Sequence, residues 1–264
     1  MVPLRIGGSM WVNRFETTNV YIWAFGVWEP GITAVMRQLI RCGEVFVDIG
    51  SHLGYFSILA SRAGATPIAV EPSPQLVPRL RRNLALNGIS CKVLEVAISD
   101  RKGVATFYGG QNANTGKGSL LEGWTKHFES FKVKVDTLDC LGDQLDQVGM
   151  IKIDVEGVEK VILQQILERL DRATKLDTII FELHPKQVDS CRSLLEEFVA
   201  HDFRIYMVEN DYHAKFYRRK TFIVSEVKAA NLDSKGLSTD FILSKRDFDS
   251  IFPGGVVALF DENW

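Results

Sequence analysis

The sequence predicts an α/β protein: a doubly wound, mainly parallel sheet of seven strands, with a small N-terminal lid and a β insertion. Three observations carry this. Short apolar strands alternate with amphipathic helices from Glu44 onward, which is the rhythm of a parallel sheet covered on both faces. The apolar run Val45-Phe-Val ends in Asp48 and turns through Gly50 and Gly54, and 23 residues after Asp48 a second run, Ile68-Ala-Val, ends in Glu71. Finally, 264 residues with 46% hydrophobic content suffice for one large core.

The elements follow in order. Residues 1–40 hold Trp11, Phe15, Tyr21, Trp23, Phe25 and Trp28 but are too short for a core of their own, so they read as a lid or flank on a domain spanning 41–264. Alternation in Asn19-Val-Tyr-Ile-Trp-Ala-Phe suggests an extended segment, and Pro30 opens a helix to about residue 41. Strands are expected near 45–49, 67–71, 91–96, 149–154, 177–182 and 203–208, with a last one in Thr239-Asp-Phe-Ile-Leu-Ser-Lys. Helices are expected near 53–64, 74–87, 137–147, 157–171 and 186–200. The fourth of these carries Val161, Ile162, Leu163, Ile166, Leu167 and Leu170, one apolar face at 3.6-residue spacing. Residues 103–136 interrupt the rhythm. Two alternating stretches, Val104-Ala-Thr-Phe-Tyr and Phe131-Lys-Val-Lys-Val, flank a glycine-rich loop from Gly109 to Ser119. A loop of that length in a compact domain is more often functional than idle. Residues 209–238 are polar and mixed and are left unassigned.

Bulk properties narrow the partners. Charged residues make up 24% and the formal net charge is −2, so no basic bias draws the chain to nucleic acid or to an anionic membrane. The basic runs at Arg79, Arg81 and Arg82 and at Arg218, Arg219 and Lys220 read as solvated faces. Cys42, Cys91, Cys140 and Cys191 form no C-x-x-C pair and read as reduced thiols. No apolar run nears the roughly 20 residues that span a bilayer, and no targeting segment is legible. A cytoplasmic location is expected, with neither nucleic acid nor membrane as partner.

The two acid-ended strands make half of a nucleoside site. A dinucleotide site needs a middle glycine where the pyrophosphate meets the backbone. Here that position is His52, and Asp48 just before the turn would repel a pyrophosphate. Both departures disfavour NAD and FAD. S-adenosylmethionine meets neither objection, because it carries no phosphate and its amino and sulfonium groups are cationic. Glu71 would then accept from the ribose hydroxyls, at roughly 1.5–3 kcal/mol per bond, and the adenine would lie near Val96-Ala-Ile-Ser-Asp100. The plainer alternative is that Asp48 and Glu71 cap helices at strand ends.

Six motifs occur in order: Val47-Asp-Ile-Gly-Ser-His-Leu-Gly-Tyr, Val70-Glu-Pro-Ser-Pro, Ala97-Ile-Ser-Asp, Val135-Asp-Thr-Leu-Asp, Ile151-Lys-Ile-Asp-Val-Glu-Gly-Val-Glu and Phe181-Glu-Leu-His-Pro. Over about residues 29–208 the chain resembles the FkbM family of S-adenosylmethionine-dependent methyltransferases. The resemblance implies a Rossmann-like class I methyltransferase fold. It implies a cofactor site of Asp48, Gly50, His52, Gly54, Tyr55, Glu71, Pro72, Ala97, Ile98 and Asp154. The family pattern has Asn where this chain has His52, at the position facing the methionine end.

Asp154 ends a buried strand at the ligand-binding edge of the sheet, and Glu182 and His184 end the next. These three are the candidate catalytic residues, with His184 or Asp154 as general base for an alcohol losing its proton. The plainer reading of the neighbouring Glu156 and Glu159 is as first-turn acids at a helix N-terminus, and that of His184 is as a satisfied structural histidine. Asp154, Glu182 and His184 also suit a divalent cation, although no metal is expected. The expected function is O-methylation of a small-molecule hydroxyl on a secondary metabolite, sugar or glycan, as in natural product biosynthesis. A homodimer is compatible with this reading. The alternatives are methylation of an amine or nucleic-acid base, weakened by Asp154-Val-Glu-Gly where base methyltransferases carry Pro-Pro and an aromatic, and a non-catalytic cofactor-binding protein.

Overall fold

Period-two alternation along the central strands divides their side chains between two faces of one sheet. The computed structural model describes residues 1–110, 118–123, 128–232 and 239–259. The chain begins with β1 (Val2–Pro3) and β2 (Ser9–Met10), a two-stranded ribbon, followed by α1 (Thr17–Phe25) and α2 (Pro30–Leu39). The α/β alternation then runs β3 (Val45–Ile49), α3 (Tyr55–Arg62), β4 (Thr66–Val70), α4 (Val77–Leu86) and β5 (Lys92–Leu94). Next come β6 (Ala97–Ile98), β7 (Gly103–Gly110) and β8 (Phe128–Asp136), which form a separate three-stranded sheet in the order β6-β8-β7. The chain continues as β9 (Val148–Ile153), α5 (Glu159–Leu167), β10 (Thr178–Leu183), α6 (Pro185–Ala200) and β11 (Arg204–Val208). It closes with β12 (Thr221–Val227), β13 (Thr239–Ser244), α7 (Phe248–Ile251) and β14 (Val256–Ala258).

The main sheet has the order β14-β12-β11-β13-β10-β9-β3-β4-β5. β5, β4, β3, β9 and β10 pair in parallel, whereas β13 and β12 pair antiparallel to their neighbours. Phe46, Met150 and Ile180 point into one core, shared with Ile32, Met36 and Ile58. Their neighbours Val47, Ile151 and Phe181 point into the other, shared with Ile162, Leu163, Leu195 and Phe198. Both faces are therefore covered, as the near-continuous apolar strands require. The chain steps outward from β3 in one direction and from β9 in the other, so the reversal point of the sheet lies between them.

Three differences from the sequence reading have clear causes. The main sheet holds nine strands, not seven. The two added strands are β12 and, at the edge, β14; β12 was illegible because Phe222 and Val224 point inward while Ile223 between them is half exposed, which blurs the alternation. Asn19–Phe25 is helix α1 rather than extended. Its aromatic run favours strands, but Asn19 and Ile22 are buried at a helical spacing and Gly26 ends the helix in a left-handed conformation (φ 68°), its N–H bonded to Ile22 O. The stretch expected as a helix at 137–147 is a run of tight 3₁₀ turns broken at Gly142 (φ 60°, ψ −137°).

The N-terminal segment is part of the larger core rather than loosely appended. Eight of the ten residues of α2 are buried, and the helix packs on α3, β12 and β14. No helix among the described residues is long and apolar enough to cross a membrane.

Candidate active site

The reversal point is closed by backbone. The Gly50 and Ser51 N–H groups donate to Val70 O (2.9 and 3.1 Å), and the Asp154 N–H donates to Ile49 O (2.9 Å). The ends of β4, β3 and β9 are thereby laced side by side. Gly50 is obligatory here: its φ is +85°, and a Cβ would lie 1.9 Å from the Asp154 carbonyl oxygen. Gly54 (φ +87°) starts α3 where a Cβ would meet Leu80 at 2.6 Å, so its role is to seat α3 on α4.

Beside this junction lies a cavity. Of the ten residues expected around a nucleoside, Gly50, His52, Glu71, Pro72, Ala97, Ile98 and Asp154 line it. Asp48, Gly54 and Tyr55 do not. Asp48 is buried beneath the turn and accepts from Ser57 Oγ at 2.6 Å. Burial pushes its carboxyl up to about 6. Tyr55 is buried toward α2, its hydroxyl 3.3 Å from Thr33 Oγ1.

Glu71 is held by two backbone donors, His52 N–H on Oε2 and Ser73 N–H on Oε1, each at 2.9 Å. Burial nonetheless raises its carboxyl to about 7. His52 has a left-handed backbone (φ 50°), which aims its N–H at Glu71. Enclosure and the nearby Arg79 keep the ring neutral, lowered to about 4. Each carboxylate oxygen has a further lone pair, so Glu71 can still accept from a diol.

The roof comes from the β insertion, whose 109–120 loop the sequence reading expected to close the acceptor pocket. Phe107, Gly109, Gly118, Ser119, Leu120 and Phe131 line the cavity, and the Phe107 and Phe131 rings lie 5.5 Å apart. Alternation along both stretches was visible, but not which face looks inward. Residues 111–117 of the expected loop lie outside the described residues.

At the edge of β9, Asp154 Oδ2 accepts from Lys152 Nζ at 2.7 Å. Lys152 is 3% exposed in its side chain, stands over the Phe56 ring at 4.3 Å and lies 3.8 Å from Glu29 Oε2. Sequence reasoning missed Lys152, whose position inside an apolar strand (Ile151-Lys-Ile) was the available signal. Glu29 also accepts from Tyr212 OH (3.2 Å). Burial raises Glu29 well above the usual carboxylate range, opposed by Lys152 and helped by Asp154, Asp240 and Glu182. Glu182 pairs in register with Asp240 on β13, and Asp240 accepts from Asn210 Nδ2 at 2.7 Å.

His184 stands at the N-cap of α6. Its Nδ1 accepts from Lys186 N–H and its own N–H is bonded by Gln187 in a capping box. It does not line the cavity. The expected first-turn acid Glu159 accepts from Gly157 N–H and from Gln187 Nε2 (2.7 Å). Burial raises it to about 7. No three His, Cys, Asp or Glu side chains among the described residues are arranged to hold a metal ion.

An α/β sheet with two acids, Glu71 and Asp154, lining a cavity at its reversal point is the arrangement of a class I methyltransferase with S-adenosylmethionine as cofactor. The profile of the methyltransferase FkbM domain matches residues 48–213, and the chain belongs to that family. Solved structures similar to it include precorrin-6y C5,15-methyltransferase from Geobacter metallireducens GS-15 (14% identity, 82% of this chain and 87% of that one, TM-score 0.43). Others are the O-methyltransferase TomG from Streptomyces achromogenes, involved in tomaymycin synthesis and bound to its cofactor (13%, 82% and 79%, 0.42), and ribosomal protein L11 methylase from Lactobacillus delbrueckii subsp. bulgaricus (14%, 81% and 77%, 0.40). No curated protein sequence matches the chain.

Proposed function

We propose that the protein methylates a hydroxyl group of a small molecule, a secondary metabolite, sugar or glycan. The observation that carries this reading is Asp154, a carboxylate on the cavity wall with its side chain 36% exposed and its Oδ2 held by a buried ammonium. S-adenosylmethionine supplies a methyl group on a cationic sulfur. Glu71 holds the ribose hydroxyls, Ala97 and Ile98 the adenine, and His52 borders the methionine end. An acceptor oxygen has to sit in line with the methyl at about 3–3.5 Å and lose its proton as the bond forms. Asp154 Oδ1 receives that proton, because Lys152 engages Oδ2 and fixes the plane of the carboxylate. Glu182, on the neighbouring strand β10 and opposite Asp240 on β13, adds negative charge beside this edge. His184, with Nδ1 engaged in the α6 cap and its ring outside the cavity, takes no part in proton removal. The N-terminal segment and the insertion close over the acceptor.

Calorimetry with S-adenosylhomocysteine tests the cofactor half, and Glu71→Ala is expected to weaken binding at least tenfold. Labelled methyl transfer to matched libraries of alcohols and amines tests the acceptor half. Asp154→Asn is expected to lower kcat by about 10²–10⁴ with cofactor affinity little changed. Methylation of amines and not alcohols would overturn the hydroxyl assignment.

A further inference from the structure

Three of the four exposed aromatic side chains among the described residues belong to the N-terminal segment, the fourth being Tyr212. Among the described residues the exposed Trp and Phe side chains are Trp11 (41%), Phe15 (74%) and Trp23 (52%), all within the first 23 residues. Val20, also exposed, lies one helical turn from Trp23. Helix α1 turns Asn19 and Ile22 into the core and Val20 and Trp23 outward, so packing gives no reason for the exposed pair. Solitary exposed apolar residues need no explanation, but a cluster of this kind marks an interaction surface.

Cations frame the cluster. The Arg14 guanidinium stands 5.1 Å over the Phe15 ring and that of Arg82 stands 4.1 Å over Trp11. Neither is in an ion pair among the described residues. An open groove lies here, lined by Trp11, Val12, Asn13, Glu16, Arg79 and Arg82. Its one acid, Glu16, is neutralised by Arg79 through two bonds of 2.9 and 3.0 Å. The face is therefore apolar, aromatic and positive.

We propose that this N-terminal face docks the protein on an anionic lipid surface. Trp and Phe side chains favour the depth of the headgroups, and arginines beside them meet lipid phosphates while their stems stay on apolar surface. A second copy of the chain fits less well, because a two-fold contact sets this face against itself and brings Arg14 and Arg82 toward their own counterparts. The expectation of no membrane partner rested on a net charge of −2, an average over the whole chain that says nothing of one face.

The test is co-sedimentation with vesicles of phosphatidylcholine and phosphatidylglycerol, three to one, against phosphatidylcholine alone. The expected result is binding to the mixed vesicles that weakens in high salt and is several-fold lower on neutral ones. Phe15→Ser combined with Trp23→Ser is expected to reduce partitioning at least tenfold, and Arg82→Gln alone about fivefold. Calorimetric binding of S-adenosylhomocysteine verifies that the variants remain folded. Absence of vesicle binding, or binding undiminished in the double variant, would overturn the proposal. So would a concentration-dependent dimer that the double variant abolishes and that ignores lipid.

Discussion

In the role proposed for it Glu71 accepts from both ribose hydroxyls as a carboxylate, yet burial has raised its carboxyl to about 7. Cofactor binding therefore competes with a proton. Affinity for S-adenosylhomocysteine is expected to rise as pH increases from about 6 to 8 and to level off above, while Glu71→Gln binds weakly with little pH dependence over that interval. Isothermal titration across the range checks both. Lys152 presents the complementary case, a buried ammonium facing Asp154, Glu29 and Asp48. Removing one partner of a buried pair leaves uncompensated charge, so Lys152→Met is expected to cost about 3–5 kcal/mol in urea unfolding. Lys152→Arg, which keeps the charge, is expected to recover part of that loss.

At the scale of elements, the site depends on two junctions. Where β3 meets β9, Gly50→Ala would force a Cβ against the Asp154 carbonyl at an unfavourable φ. A stability loss on the order of 3 kcal/mol is expected from strain alone, together with loss of cofactor binding, because Asp154 and the turn move together. Calorimetry and denaturation read the two effects. The second junction is the β7–β8 hairpin, whose Phe107 and Phe131 roof the cavity. The strand periods that built both junctions were legible, since Val45–Ile49, Val148–Ile153 and the two insertion stretches alternate or run apolar as strands do. The helix α1 was not, because its aromatic residues suit a strand locally and only the pocket for Asn19 and Ile22 favours the helix.

The whole molecule buries more carboxylates than cations at one sheet edge. Asp48 and Asp240 are raised to about 6, and Glu71 and Glu159 to about 7, each chiefly by burial. Between their unfolded values near 4 and these, the folded state binds protons that the unfolded chain has released. Their contribution to stability is therefore present below about pH 4 and is lost as pH rises through 6–7. His52, held neutral down to about 4, acts in the opposite sense between about 4 and 6.5. Four groups outweigh one, so the urea midpoint of the cofactor-free protein is expected to be higher at pH 5.5 than at pH 8.

The sequence by itself determined the parallel core, the acid-ended strands and the kind of cofactor, because each depends on periods and spacings within a few tens of residues. Asp48 and Glu71 were found as a pair in this way, and His52 in place of glycine, with Asp48 before the turn, disfavoured a pyrophosphate. Only the tertiary structure decided what each acid does. Asp48 proved to lie beneath the turn, bonded to Ser57, while Glu71 and Asp154 face the cavity, a distinction that depends on side-chain direction at a strand end. It also brought Glu29, Lys152, Tyr212 and Asp240 together from four distant segments, and set Phe107 and Phe131 over the cofactor site. Long-range convergence of this kind leaves no local period in the chain, since it is fixed by how the sheet twists and what its edges pack against.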